Sequence, residues 1–303
     1  MFTLAHVSDV HLGPLPRPHL GQLMSKRLLG YLNWHRGRKE LYRRDTLDAL
    51  IADMRAQAPD HIAVTGDLVN IALPAEFELA RDWLQDLGPP DRVTVVPGNH
   101  DAYVPVPDAQ GLGHWSEYMR GCGDAATATM VGSTRFPFVR RLGPIALIGL
   151  SSAIPTAPFM ASGALDAAQL GSLPAILSEL HEAGRFRVVL IHHPPLPGQT
   201  GWRRALRNAP ALRDALQRAG AELVLFGHNH MQSLDVLETA HGAAPVVGVP
   251  SASTGLSGRH PLARYNLFHI ERAGARWSCE MTGRGYRSPD GPVDQIERIQ
   301  LSS

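Results

Sequence analysis

The chain runs to 303 residues, 44% of them hydrophobic, with 29 Lys plus Arg set against 28 Asp plus Glu. That length suits one enzyme-sized domain with a large core, and the balanced charge gives no global reason to expect nucleic acid or an acidic partner. Two distant cysteines, Cys122 and Cys279, exclude a disulfide framework and a thiolate metal site, so any metal must rest on His and carboxylates.

The first residues, MFTLAHVSDVHLG, lack the cationic and long apolar stretches of a secretory signal, which sets the expected compartment as the cytoplasm. No run of about 18 apolar residues predicts a membrane span. The first strand is expected at Phe2 to Val7, and a basic insert at 14–44 follows it. A helix is expected over Leu41 to Arg55, a strand over His61 to Thr65, a helix over Ala75 to Leu87 and a strand over Arg92 to Val96. Farther on, strands at Ile145 to Leu150, Arg187 to Ile191 and Glu222 to Phe226 alternate with helices at Asp166 to Glu182 and Ala209 to Ala219, the pattern of an α/β layered fold. Beyond about residue 231 strand follows strand: Leu234 to Leu237, Pro245 to Val249, Tyr265 to Ile270 and Trp277 to Met281. This change predicts a second or a mixed sheet. The domain is expected to span 1–283, with 284–303 as a loosely packed polar tail.

Five polar clusters each follow an apolar run: Asp9-Val10-His11, Gly66-Asp67, Gly98-Asn99-His100-Asp101, His192-His193-Pro194 and Gly227-His228-Asn229-His230. In open α/β sheets ligands bind at the carboxyl ends of strands, so these loops are expected to meet in one crevice. Asp, Asn and neutral imidazole suit Mn, Fe, Zn or Ni, and two such ions need about ten to twelve ligand positions. Asp67, with two carboxylate oxygens, is an attractive bridge, and glycines at 66, 98 and 227 leave room for tight turns beside the ions. Any one cluster would be an ordinary turn. Six of the 15 histidines fall in these clusters, and that grouping carries the inference.

The ordered series D-x-H, G-D, G-N-H-D, H-H-P and G-H-x-H over residues 1 to 255 resembles the calcineurin-like metallophosphoesterase family, with most similarity to its class III cyclic-nucleotide phosphodiesterase branch. The resemblance implies a two-sheet α/β sandwich with αββα layers. It implies two divalent metal ions, one held by Asp9, His11, Asp67 and His230, the other by Asp67, Asn99, His192 and His228, with His193 behind the ligands and the choice between His192 and His193 left open. Catalysis would fall to His100, facing the substrate and held by Asp101. A hydroxide bridging the ions would attack the phosphorus in line, and His100 is expected to be cationic with substrate bound.

Residues 17–44 carry Arg17, Lys26, Arg27, Arg36, Arg38, Lys39, Arg43 and Arg44 against Glu40 alone, while Leu20, Leu23, Met24, Leu28, Tyr31, Leu32 and Trp34 fall near helical spacing. Such a segment either packs its apolar stripe on the domain or lies on an anionic membrane at the inner face. Arg203 and Arg204, after the His-His-Pro loop, are candidate substrate-binding residues at the crevice rim. The expected partner is a small phosphate ester, with cyclic nucleotides first. A lipid-linked phosphodiester or pyrophosphate, as for the UDP-diacylglucosamine hydrolases of the same superfamily, is the second substrate class. A silent scaffold is disfavoured because no ligand position is missing, and nucleic acid is not expected.

Overall fold

A computed structural model describes residues 1–122, 135–256, 258, 261–274 and 276–302. Twelve strands in these segments form two six-stranded mixed sheets. The first sheet has the order β12 (Val293–Ser302), β11 (Arg276–Tyr286), β10 (Arg264–Ala273), β1 (Phe2–Val7), β2 (His61–Val64), β3 (Val93–Val95). The second has β4 (Phe138–Leu142), β5 (Ile145–Gly149), β6 (Phe186–Leu190), β7 (Leu223–Phe226), β9 (Gly242–Gly248), β8 (Ser233–Thr239). β1, β2 and β3 run parallel, as do β5, β6, β7 and β9, so the carboxyl ends within each set share one rim.

Alternation along the strands builds two cores. Leu147, Val188, Leu190, Leu223 and Leu225 face the first sheet and join a core that also takes in α4 (Arg44–Ala56) and α5 (Pro74–Leu87). Their neighbours Ala146, Ile148, Val189, Val224 and Phe226 face outward onto α6 (Ala167–Glu182) and α7 (Ala209–Ala219). The result is the αββα sandwich, with the late strands divided between both sheets.

One sequence expectation is corrected here. From residue 284 the chain is not a loose tail: β11 continues to Tyr286 and β12 pairs antiparallel with it from Val293 to Ser302. Its polar and apolar residues alternate, as on an edge strand covered on one face, and Ile299 and Leu301 pack on the core. Ser303 lies outside the described residues. The 14–44 insert folds into short pieces rather than one amphipathic helix: α1 (Leu20–Leu23), α2 (Arg27–Asn33), a π-helical turn at Trp34–Arg38 and α3 (Lys39–Leu41). Leu20 and Met24 are 86% and 87% exposed, while Lys26 and Arg27 turn inward onto backbone carbonyls.

Candidate metal centre

The five clusters do meet, at the carboxyl ends of β1, β2, β3, β6 and β7. What holds them together is costly backbone. Eight non-glycine residues among the described residues have positive φ, and five of them are Asp9, His11, Asp67, His228 and His230, at 45° to 68°. Left-handed backbone outside glycine costs on the order of 1–3 kcal/mol per residue and persists where the surroundings impose it, most often at functional sites. Close approach does the rest. A Cβ on Gly98 would fall 2.2 Å from Asp67 Oδ1, and one on Gly227 would fall 1.9 Å from Ser8 Oγ, so no larger residue fits at either turn.

Two groups of donor atoms share Asp67. In one, His230 Nε2 lies 3.0 Å from Asp9 Oδ1 and 3.4 Å from His11 Nε2, and His11 Nε2 lies 3.9 Å from Asp67 Oδ2. In the other, His192 Nε2 lies 3.4 Å from Asp67 Oδ2 and 3.1 Å from Asn99 Oδ1, and His228 Nδ1 lies 2.7 Å from the same Asn99 oxygen. All seven residues are buried. The adjacent histidines separate cleanly: His193 turns away, its Nδ1 on Ser152 Oγ at 2.7 Å and its Nε2 on the Ala161 carbonyl at 3.1 Å.

The donor chemistry fits divalent cations. His192 donates Nδ1–H to the Thr65 carbonyl at 2.7 Å, so in the neutral ring the Nε2 lone pair points at two further acceptors, Asn99 Oδ1 and Asp67 Oδ2. Acceptors facing acceptors require a positive centre among them. Burial alone would lower His192, but the Asp67 and Asp9 carboxylates raise it to about 9, so a proton fills that role where no cation does. Asp67 is held well below the ordinary carboxylate range, its burial outweighed by His192 and His100. His228 Nε2 is buried with no hydrogen-bond partner.

Asp101 does not hold His100. Its carboxylate accepts backbone N–H bonds from Asp67, Leu68, Val69 and Gly98 at 2.8 to 3.1 Å, clamping the second motif to the third. Burial and the Asp67 charge push it up to about 7, against the amides that favour its ionised form. His100 is positioned instead by the Asn70 carbonyl, 2.5 Å from Nδ1, and by Tyr103, stacked at 5.4 Å. Burial, with the Arg38 charge, lowers His100 to about 4, so the ring is neutral near pH 7 without substrate.

Of the two candidate arginines, Arg204 donates to the His228 carbonyl at 2.6 Å and lines a cavity of about 610 Å³ with Asn229, Thr200 and Asp235. Arg203 is exposed and lies over the Trp202 ring. Sequence reasoning missed several supporting residues. Tyr42 packs its ring 4.4 Å from His11 with its hydroxyl 3.5 Å from His230 Nδ1, and Arg38 Nη2 lies 3.3 Å from His100 Nε2. Glu76, at the third position of α5 after Pro74, accepts the amides of Asn70, Ile71 and Leu73 and so fixes the loop that carries Asn70. The Pro-x-Glu helix-start pattern was its visible signal.

Fold and site together define an αββα protein with a candidate divalent-metal centre at the carboxyl rim of its sheets. The chain belongs to the calcineurin-like phosphoesterase family, whose sequence pattern matches residues 2–232. It is 31% identical over 98 residues to a glycerophosphodiester phosphodiesterase, GpdQ, of Enterobacter lignolyticus, a match covering 32% of this chain and 29% of that protein. It is 36% identical over 53 residues to a probable cyclic nucleotide phosphodiesterase of Synechococcus sp., covering 18% and 20%. The aligned segments thus span less than a third of either relative. Among solved structures, a dimetal phosphatase from Danio rerio aligns over 99% of this chain and 98% of its own at a TM-score of 0.62 and 13% identity. The purple acid phosphatase PPD1 of yellow lupin (Lupinus luteus) aligns over 99% and 53% at 0.57 and 13%. These two likenesses concern the fold alone. The family uses a dinuclear divalent metal centre, and the donor clusters Asp9–His11–His230, His11–Asp67–His100 and Asp9–Asp67–His192 are this chain's candidates to hold it. No helix among the described residues is long and apolar enough to cross a membrane.

Proposed function

We propose that this protein hydrolyses phosphodiesters at two divalent ions, one held by Asp9, His11, Asp67 and His230 and the other by Asp67, Asn99, His192 and His228. The observation that carries this reading is Asp67 itself, whose Oδ2 faces a histidine of each group at 3.9 and 3.4 Å. When bound, the ions supply Lewis acidity toward the phosphoryl oxygens and make water a competent nucleophile near neutral pH. The protein's own part is arrangement. Carbonyls of Val69, Thr65 and Asn70 take the Nδ1–H of His11, His192 and His100, which leaves each Nε2 aimed into the crevice. His100 is then placed to meet the phosphoryl group or the leaving oxygen.

The phosphodiester class draws support from both curated relatives, each named as a phosphodiesterase. Cyclic nucleotides are the finer reading within it. The test is hydrolysis of bis-p-nitrophenyl phosphate, p-nitrophenyl phosphate and cyclic AMP by metal-stripped protein reloaded with Mn. Diester turnover is expected to require metal and to fall by at least about 100-fold in Asp67→Ala and Asn99→Ala. Preferential turnover of the monoester would overturn the diester assignment.

A second reading, a lipid-bearing phosphodiester met at an anionic membrane, is favoured by Leu20, Met24, Leu28 and Leu32, which recur every fourth residue with all four side chains exposed, beside the exposed Arg36 and Lys39. Binding to anionic liposomes that is lost when Leu20 and Met24 become Ser would support it. Absence of binding by the intact protein would remove it.

A further inference from the structure

We propose that Arg38, carried into the crevice by the 14–44 insert, is a phosphate-binding residue that grips an oxygen of the substrate's phosphoryl group. The inference rests on the reading of the Asp67-centred site as a phosphoesterase. Three independent features point to it. The guanidinium stands at the mouth of the centre, with Nη2 3.3 Å from His100 Nε2 and 3.4 Å from the Tyr42 hydroxyl, while Tyr42 in turn covers His11 and His230. Its charge is not neutralised: among the described residues no carboxylate lies within ion-pair distance of Arg38, whereas Arg43 and Arg44 a few residues on each pair with an aspartate. An imidazole nitrogen accepts one hydrogen bond and a guanidinium offers five, so donors remain for an anion.

The third feature is preorganisation. The insert is fastened to the body on either side of the arginine, after it by Arg43 N–H donating to the Ser253 carbonyl at 2.8 Å and Gly255 N–H donating to the Leu41 carbonyl at 2.9 Å. Lys26 Nζ donates to Thr156 Oγ1 and to the Met160 carbonyl, both at 2.8 Å, and Arg27 donates to the Ile71 carbonyl at 3.1 Å. Gly30 packs so closely on Ile71 and Tyr103 that a Cβ there would fall 2.5 Å from Ile71 Cγ2. Trp34 is buried, and the π-helical turn it begins is kinked at Gly37, with φ 156° and ψ −18°, immediately before Arg38. A planar fork held this way matches phosphoryl oxygens, which a lysine ammonium would contact only as a point charge. Substrate would take over the N–H that Arg38 now gives to His100. The insert is therefore part of the active site, whatever its outer apolar face does.

The experiment uses the Mn-reloaded full chain and two probes. Inorganic phosphate binding is followed by calorimetry, and bis-p-nitrophenyl phosphate turnover by steady-state kinetics, in wild type, Arg38→Met, Arg38→Lys and Arg36→Met, with bound metal counted in each. Arg38→Met is expected to weaken phosphate binding at least 10-fold and to lower kcat/KM by roughly 10–100-fold, the loss of one charge-assisted contact. Metal content should stay at the wild-type value. Arg38→Lys should recover part of the loss, and Arg36→Met should behave as wild type. Unchanged phosphate affinity in Arg38→Met would overturn the proposal, as would a loss of metal in parallel with activity, which would make Arg38 a support of the ligands. Should wild type hydrolyse none of the esters, the functional reading fails separately, and phosphate affinity still decides the role of Arg38.

Discussion

At the scale of single residues, the centre depends on groups that never touch an ion or a substrate. Asp101 is the clearest case: one carboxylate terminates four backbone N–H groups from two loops, Asp67 to Val69 and Gly98, that are far apart in sequence. Replacing it by Asn keeps the volume but puts an amide donor where two amide hydrogens already point. Buried donors left unsatisfied cost about 1–3 kcal/mol each, so Asp101→Asn, which strands two, should lose roughly 2–6 kcal/mol of stability. Urea denaturation measures it. Because Asp67 is one of the clamped residues, metal affinity should fall with stability; an Asn variant of wild-type stability and metal content would restore Asp101 to a catalytic role. His100, with Asn70 rather than Asp101 behind it, gains from this arrangement a fixed tautomer and no carboxylate partner on Nδ1.

At the scale of elements, the strands that carry the centre were legible and the pieces around it less so. Each motif closes a Val-, Ile- or Leu-rich run, and burial on both faces of a parallel strand makes such runs visible without alternation. β4 was missed because its sequence, FVRRL, holds two arginines, and Arg140 is buried there by donating to the Arg120 and Val93 carbonyls rather than by being apolar. The insert showed its helical spacing but not which face docks. Backbone carbonyls of Ile71 and Met160 draw Lys26 and Arg27 inward and leave Leu20 and Met24 outside, and no periodicity encodes that choice. β12 read as a tail because it is polar on one face. Its removal is therefore a direct test of an edge strand. Ending the chain after Tyr286 strips the cover from β11 and takes Glu297 from Arg264, whose side chain is only 7% exposed and pairs with it at 2.5 Å. Breaking a buried pair on one side costs about 3–5 kcal/mol, less here because Glu297 is a third exposed. A drop of at least about 2–4 kcal/mol in urea stability is expected, and a truncated protein as stable as the full chain would return the segment to tail status.

At the scale of the whole molecule, the same burial that shapes the site sets how stability responds to acid. His61 opens β2 at the end of the strand far from the metal donors, fully buried, with Nε2 2.7 Å from Thr94 Oγ1. Burial, reinforced by Arg140 and Arg92, lowers it to about 3. The unfolded chain binds a proton at this histidine below about 6.5, while the folded chain does so only near 3. A group depressed in this way stabilises nothing above 6.5 and favours unfolding progressively below it. Linkage puts the loss at about 2 kcal/mol between pH 7 and pH 5 from His61 alone. Urea midpoints followed across that range should fall for wild type. His61→Gln, which keeps a polar partner for Thr94 and cannot titrate, should start from lower stability and fall less steeply by roughly one proton's worth of slope. Equal slopes in the two proteins would mean that the native state admits a proton at His61, and with it water at the base of β2, which the packing of Ile62 and Thr94 in the first sheet argues against.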